Sequence, residues 1–219
     1  MAFLTTIVEY EGALANVRPR YWAAHREAIE AVGWEGPNEE EFWRLTRTGA
    51  SDGLLVPRAK SAQVLEYTRR RDERRNSSDL IALDEAWPDA AVSLKLLKDM
   101  GTCHLVSLCP NREALNAALD RMAVWMYFDK KQVLPADSDR RVAALRELSG
   151  ATRTLALAGT VAFAYAANEA GCRVVGLKTG LAFPRQLRQV GVDVFYDSLD
   201  SLTDALARHD PELERIGLP

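Results

Sequence analysis

The sequence contains little cysteine and little histidine. Its 219 residues include three of each, and neither set has the spacing of a zinc site. The cysteines Cys103, Cys109 and Cys172 are too few and too scattered for a disulfide framework, which favours a reducing compartment. We therefore predict a cytoplasmic protein without a structural zinc ion.

The sequence also lacks an excess of positive charge and a long apolar run. Its net charge of -3 gives no electrostatic basis for binding nucleic acid or an anionic membrane. No run approaches the roughly 20 apolar residues that a membrane span needs, and we expect no signal peptide. The one arginine-rich run, Arg69 to Arg75, contains acidic residues too, which favours a solvated helix face over a phosphate or nucleic-acid patch.

Short apolar runs alternate with amphipathic segments along most of the chain. Five runs predict strands, namely Phe3 to Val8 and the segments CHLVSL, TLALAG, RVVGL and DVFYDS. The segments between them have helical periodicity, as in NREALNAALDRM. Strands that alternate with helices predict an α/β fold, with a Rossmann-like, doubly wound parallel sheet.

A long helical stretch interrupts this alternation, because the pattern turns helical at Pro19 and residues 37–85 stay helix-like with no strand pattern. We predict an α-helical cap over 16–86, inserted into an α/β core made of 1–15 plus 87–219. Five aromatic residues are expected to build the core of the cap, with substrate stacking as the alternative: Tyr21, Trp22, Trp34, Phe42 and Trp43.

Polar residues follow the predicted strands at the points where ligands bind in doubly wound sheets. Glu9 and Glu11 follow the first strand, Ser107 ends the second, and Gly159 and Thr160 follow the third. Paired carboxylates at a strand end are typical of acid–base chemistry or metal binding. Their structural interpretation is that they cap the sheet, facing solvent or paired with an arginine.

The layout resembles the haloacid dehalogenase-like hydrolases, in the phosphoglycolate-phosphatase-like branch that carries a helical cap after the first strand. The resemblance covers nearly the whole chain, through the segments WPDAAVSLKLLKDMGTCHLVSL, ALDRMAVWMYFD, LALAGTVAFAYAANEAGCRVVGL and GVDVFYDSLDSLTDAL. It implies a Rossmann-like core with an inserted helical cap. It also implies phosphatase chemistry with Mg²⁺, an aspartate nucleophile and a second aspartate as acid and base.

The catalytic positions depart from the family pattern. The resemblance places Glu9 at the nucleophile, Glu11 at the acid and base, and Ser107 at the phosphate anchor. Ser107 and Thr160 each have a structural interpretation as well, as a hydroxyl bonded to backbone and as a helix cap.

The family's lysine corresponds to Pro135, and its metal-binding acids to Thr160 and Ala164. Only Glu9 and Glu11 then remain as candidate Mg²⁺ ligands, which makes a bound Mg²⁺ doubtful.

Two functional hypotheses follow from the resemblance. The first is a catalytically impaired pseudo-phosphatase with a binding or regulatory role, whose partner is a small phosphorylated ligand, another protein or a second copy in a homodimer. The second is an active phosphomonoester hydrolase that uses Glu9 and Glu11 in place of the two aspartates.

Overall fold

The structure is a computed structural model that describes residues 4–150 and 153–218, so the first residue of the predicted strand at Phe3 lies outside it. The strands in chain order are β1 (Leu4–Glu9), β2 (Ala15–Asn16), β3 (Glu85–Ala86), β4 (Gly101–Ser107), β5 (Lys130–Val133), β6 (Arg153–Ala158), β7 (Arg173–Leu177) and β8 (Val194–Tyr196). Six of them form one parallel sheet in the order β5-β4-β1-β6-β7-β8. The predicted fold class is confirmed.

Helices connect the strands and cover the sheet. In chain order they are α1 (Arg18–Ala31), α2 (Glu39–Arg47), α3 (Asp52–Leu55), α4 (Ser61–Arg75), α5 (Ser78–Ile81), α6 (Ala90–Met100), α7 (Arg112–Arg121), a 3₁₀ helix (Trp125–Tyr127), α8 (Ser138–Ser149), α9 (Val161–Glu169), α10 (Pro184–Gln189), α11 (Leu199–Ala207) and α12 (Pro211–Arg215). No helix of the described ranges is long and apolar enough to cross a lipid bilayer.

Helices α1 to α5 lie between β2 and β3, two short strands that pair antiparallel with each other. We call these five helices and their connections the cap, and the paired strands its stem. The aromatic residues predicted for the cap core lie there: Phe42 is buried, and Tyr21, Trp22, Trp34 and Trp43 pack against the same cluster. The division of the chain at residues 16 and 86 stays a prediction.

The sequence did not predict β5. This strand reads Lys-Lys-Gln-Val and forms one edge of the sheet, where Lys130 and Lys131 are exposed. An edge strand has a single neighbour, and lysines on it discourage pairing with other chains. The polarity of β5 therefore follows from its position at the edge of the sheet. Because β5 lacks the apolar pattern of a buried strand, that pattern could not predict it.

Strand β1 lies in the centre of the sheet and is buried along its whole length. Leu4 and Val8 join the hydrophobic cluster on one face, and Ile7 joins the cluster on the other. Such two-sided burial explains why the strand reads as a continuous apolar run. Because β1 pairs in parallel with both β4 and β6, the carboxyl ends of these three strands meet at one edge.

Candidate functional site

Glu9 is the last residue of β1 and is fully buried. Its Oε2 accepts hydrogen bonds from the amides of Gly159 at 2.7 Å and Thr160 at 2.9 Å. Its Oε1 accepts from the hydroxyl of Thr160 at 2.5 Å. The expectation of a solvent-facing or arginine-paired glutamate is therefore wrong at this position, because the turn after β6 encloses the carboxyl group.

The pKa of Glu9 is raised to about 8, chiefly because burial removes water from the carboxylate and secondly because of the nearby charge of Glu11. The hydrogen bonds from Gly159 and Thr160 act in the opposite direction, since they favour the ionised form. Glu9 is consequently protonated in a large fraction of molecules at neutral pH. A protonated carboxyl group is a poor nucleophile and a poor metal ligand.

Thr160 is the N-cap of α9. Its hydroxyl oxygen accepts a hydrogen bond from the amide of Phe163 at 3.2 Å while the hydroxyl donates to Glu9. The capping interpretation of this residue is thus confirmed. One hydroxyl group serves two structural contacts, and it ties the start of α9 to the end of β1.

Glu11 is also buried, with an exposed fraction of 2%. Its Oε1 accepts from the hydroxyl of Ser107 at 2.6 Å, and its Oε2 accepts from the amide of Leu108 at 3.2 Å. The Ser107 oxygen in turn accepts from the amide of Cys109 at 3.0 Å. The structure therefore brings the predicted residues Glu11 and Ser107 into direct contact, and here too the expectation of a solvent-facing glutamate is wrong.

A buried cation, which sequence reasoning missed, lies near Glu11. Arg20 of α1 is 1% exposed and interacts electrostatically with Glu11. Its Nε lies 3.2 Å from an oxygen of Asp84, which is equally buried and precedes β3. The hydroxyl of Tyr10 donates to the other oxygen of Asp84 at 3.0 Å. Nothing in the sequence distinguishes Arg20 and Asp84 from exposed charged residues, because their burial depends on how the cap packs against the core.

Arg141, a buried arginine near Pro135 in the sequence, does not replace the lysine that the family has at the position of Pro135. Its guanidinium donates to the carbonyl oxygens of Pro135 at 3.1 Å and Ala136 at 2.7 Å. This side chain therefore holds the loop before α8 in place. The neighbouring Arg140 is exposed.

Backbone packing closes the edge of the sheet around the two glutamates. A Cβ atom added to Gly159 would lie 2.4 Å from the carbonyl oxygen of Glu11, and one added to Gly180 would lie 2.4 Å from the Cα of Gly159. Gly12 has a φ of +81°, and a Cβ atom added to it would lie 2.6 Å from the Cα of Gly180. Three loops, after β1, β6 and β7, thus meet backbone to backbone, which only glycine permits.

The cap contacts the core at this edge. The Arg47 guanidinium of α2 donates to the Lys178 carbonyl oxygen at 2.9 Å and lies 4.4 Å from the centre of the Phe183 ring. These contacts hold the cap over the strand ends.

The groups around the two glutamates do not fit Mg²⁺. This ion needs near-octahedral oxygen ligands, whereas Glu9 and Glu11 face N–H and O–H donors. Within the described ranges no cluster of three or more acidic, histidine or cysteine side chains could hold a metal ion. The neutral side chains of Thr160 and Ala164 add no charge that would attract a cation.

No family model matches the sequence, and no curated protein matches it either. Solved structures do match. A haloacid dehalogenase-like hydrolase from Streptococcus pneumoniae has a TM-score of 0.76 at 12% identity, over 95% of this chain and 99% of that one. A predicted phosphatase from Clostridium acetobutylicum has a TM-score of 0.72 at 12% identity, over 95% and 100%.

A predicted phosphoglycolate phosphatase from Haemophilus somnus has a TM-score of 0.68 at 16% identity, over 95% of this chain and 98% of that one. Similarity of this extent at such low identity establishes the fold. The chain has the fold of the haloacid dehalogenase-like hydrolases, as its sequence motifs predicted.

Proposed function

We propose that this chain, which has the haloacid dehalogenase-like fold, is a pseudo-phosphatase. Its structural neighbours include proteins described as a hydrolase and as predicted phosphatases, which makes phosphomonoester hydrolysis the reaction to test. We propose that it acts in the cytoplasm by binding a small phosphorylated ligand or a protein partner, with a second copy of the chain among the candidates.

One observation carries the proposal: both carboxyl groups are bound by the groups that surround them. The two oxygens of Glu9 accept three hydrogen bonds from Gly159 and Thr160, and those of Glu11 accept from Ser107 and Leu108. A nucleophile needs a clear approach to its target within about 3.5 Å. Complete burial of Glu9 removes that approach.

The electrostatics support the same conclusion. Phosphoryl transfer depends on positive groups that neutralise the charge of the transferred group. Arg20, the buried cation that interacts with Glu11, is already paired with Asp84. With Pro135, Thr160 and Ala164 at the positions of the family's lysine and metal acids, little positive charge remains to stabilise the transition state.

The test is hydrolysis of a panel of phosphomonoesters by the purified protein, with Mg²⁺ or Mn²⁺. We expect turnover no higher than that of the Glu9→Ala variant prepared in the same way. Circular dichroism of both proteins checks that they are folded. Turnover by the wild type that Glu9→Ala abolishes would overturn the proposal and establish the alternative, an active hydrolase that uses Glu9 and Glu11.

A further inference from the structure

The contacts of Glu11 raise the question of what its carboxylate replaces. It sits on two hydrogen-bond donors, the hydroxyl of Ser107 and the amide of Leu108, which we call the cradle. We infer that Glu11 is a built-in ligand of this cradle, and that its carboxylate excludes small free oxyanions. The inference rests on the proposed function, because it explains why the retained phosphate anchor would not hold the phosphoryl group of a substrate for hydrolysis.

The donors of the cradle are oriented before any ligand arrives. The amide of Cys109 donates to the Ser107 oxygen at 3.0 Å, so the Ser107 hydroxyl hydrogen is free to point to Glu11, 2.6 Å away. The Leu108 amide points to the second carboxylate oxygen. Consecutive donors from a strand end and the loop after it form a concave site that suits an anion.

A buried cation lies beside the cradle. Arg20 interacts electrostatically with Glu11 and with Cys109. All three side chains are at most 3% exposed, so little water screens the attraction. An anion of similar size in place of the carboxylate would meet the same donors and the same cation.

A tethered carboxylate has a large advantage over a free anion. Glu11 reaches the cradle without losing the translational freedom that a free ligand loses on binding. Free phosphate or formate at millimolar concentration therefore cannot displace it. The wild-type cradle is closed to anions for this reason, and removal of the side chain opens it.

The experiment compares the wild type with Glu11→Ala in inorganic phosphate and in sodium formate, each matched by sodium chloride of equal ionic strength. We expect the melting temperature of Glu11→Ala to rise by several degrees with tens of millimolar of either oxyanion. Ligands that bind only the native state raise stability in proportion to the logarithm of their concentration. The wild-type melting temperature should follow the chloride control.

The double variant Glu11→Ala with Ser107→Ala is the matched control. It removes one donor of the cradle, and we expect it to lose most of the oxyanion-dependent rise. An equal rise in both variants, or no rise in Glu11→Ala beyond the chloride control, would overturn the inference. ³¹P NMR line broadening of phosphate by Glu11→Ala provides a second measurement of binding that does not depend on melting.

The inference can also be tested if Glu11→Ala fails to fold in the chloride control. If Glu11→Ala refolds only when formate is present, the inference gains support, because formate restores the missing carboxylate. If neither anion restores folding, the Glu11→Asp variant provides the test, because its carboxylate lies one methylene nearer the backbone. The ³¹P signal of phosphate should broaden in the presence of Glu11→Asp and not in the presence of the wild type. Equal line widths with the two proteins would overturn the inference.

Failure of the inference can be told apart from failure of the proposed function. Hydrolysis by the wild type would contradict the pseudo-phosphatase proposal whatever Glu11→Ala binds. An inactive wild type with a Glu11→Ala variant that binds no oxyanion would leave that proposal in place and refute the role of Glu11 as a ligand.

Discussion

The cap stem and the strand ends both bury a carboxyl group, yet they hold it by different means. Asp84, beside the stem, is in contact with a buried arginine, Arg20, and accepts from the hydroxyl of Tyr10. Glu9, at the end of β1, is held by backbone amides and one hydroxyl, and a second acid lies nearby. The first arrangement is an ion pair, and the second is an acid enclosed by a turn.

The difference shows that burial of an acid is not by itself a sign of chemistry. Burial raises the pKa of both groups, to about 7 for Asp84 and about 8 for Glu9. A raised pKa in a cleft is commonly taken as a mark of an active site. Here one such group joins the cap to the core and the other secures the turn before α9, so the contacts are more informative than the shifts.

The largest effect is expected from breaking the ion pair. Arg20→Met removes the cation and leaves Asp84 buried without its partner, which typically costs about 3–5 kcal/mol of unfolding free energy. The loss should be greater at pH 8 than at pH 5.5. Because burial raises the pKa of Asp84 to about 7, Asp84 is largely neutral at the lower pH and needs no cation there. Urea unfolding at both pH values measures the difference.

Arg18→Met is the matched control, since Arg18 lies on the same helix and forms an exposed pair with Glu39. Exposed pairs contribute about 0.2–1 kcal/mol, so this variant should unfold near the wild type. Similar losses in the two variants would show that the buried pair contributes no more to stability than an exposed pair. A loss that is independent of pH would argue against Asp84 as its partner.

A smaller effect is expected from crowding the strand ends. Gly159→Ala places a Cβ atom 2.4 Å from the carbonyl oxygen of Glu11, where backbone must move to accommodate it. Overpacking of this kind costs about 1–3 kcal/mol. Gly53→Ala is the control, because its nearest neighbouring atom is 4.0 Å away and its helical position favours alanine. Thermal unfolding should separate the two, and equal melting temperatures would mean that the three loops are not closely packed.

The sequence predicted the fold far better than the site. Buried strands such as β1 have a continuous apolar pattern that local reading detects, and helix periodicity marks the elements between them. The edge strand β5 was missed because Lys130 and Lys131 are exposed to solvent and do not pack in a core, so the strand has no apolar pattern. Motif spacing also located the positions of Glu9, Glu11 and Ser107, which the fold brings to one edge.

The contacts of those residues could not be read from the sequence. The donors to Glu9 come from residues 159 and 160, about 150 positions away, and they depend on how two strands end beside each other. Arg20 and Asp84 lie near opposite ends of the cap in the sequence. Solvent exposure decides whether a charged residue lies on a solvated surface or forms a buried ion pair. Exposure depends on the packing of the whole molecule, which the local sequence does not reveal.

An effect of the opposite sign is expected from Glu9→Gln. Between pH 4.5 and about 8 the folded protein keeps a proton on Glu9 that the unfolded chain has released, so this group makes stability fall as pH rises. Glutamine accepts the same amide hydrogen bonds and does not ionise. The unfolding free energy of the variant should therefore rise relative to that of the wild type between pH 5 and pH 8.5, by about 1.4 kcal/mol for each unit of raised pKa that this range covers.

Urea unfolding of both proteins across this pH range gives the difference directly, and effects of other titrating groups, Asp84 included, cancel in the comparison. Glu85→Gln is the control, because Glu85 is exposed on β3. Its plot of unfolding free energy against pH should run parallel to that of the wild type. A Glu9→Gln curve that runs parallel as well would mean that Glu9 is ionised throughout. The amide donors would then outweigh burial, and the strand ends would hold a charged acid much as the cap stem does.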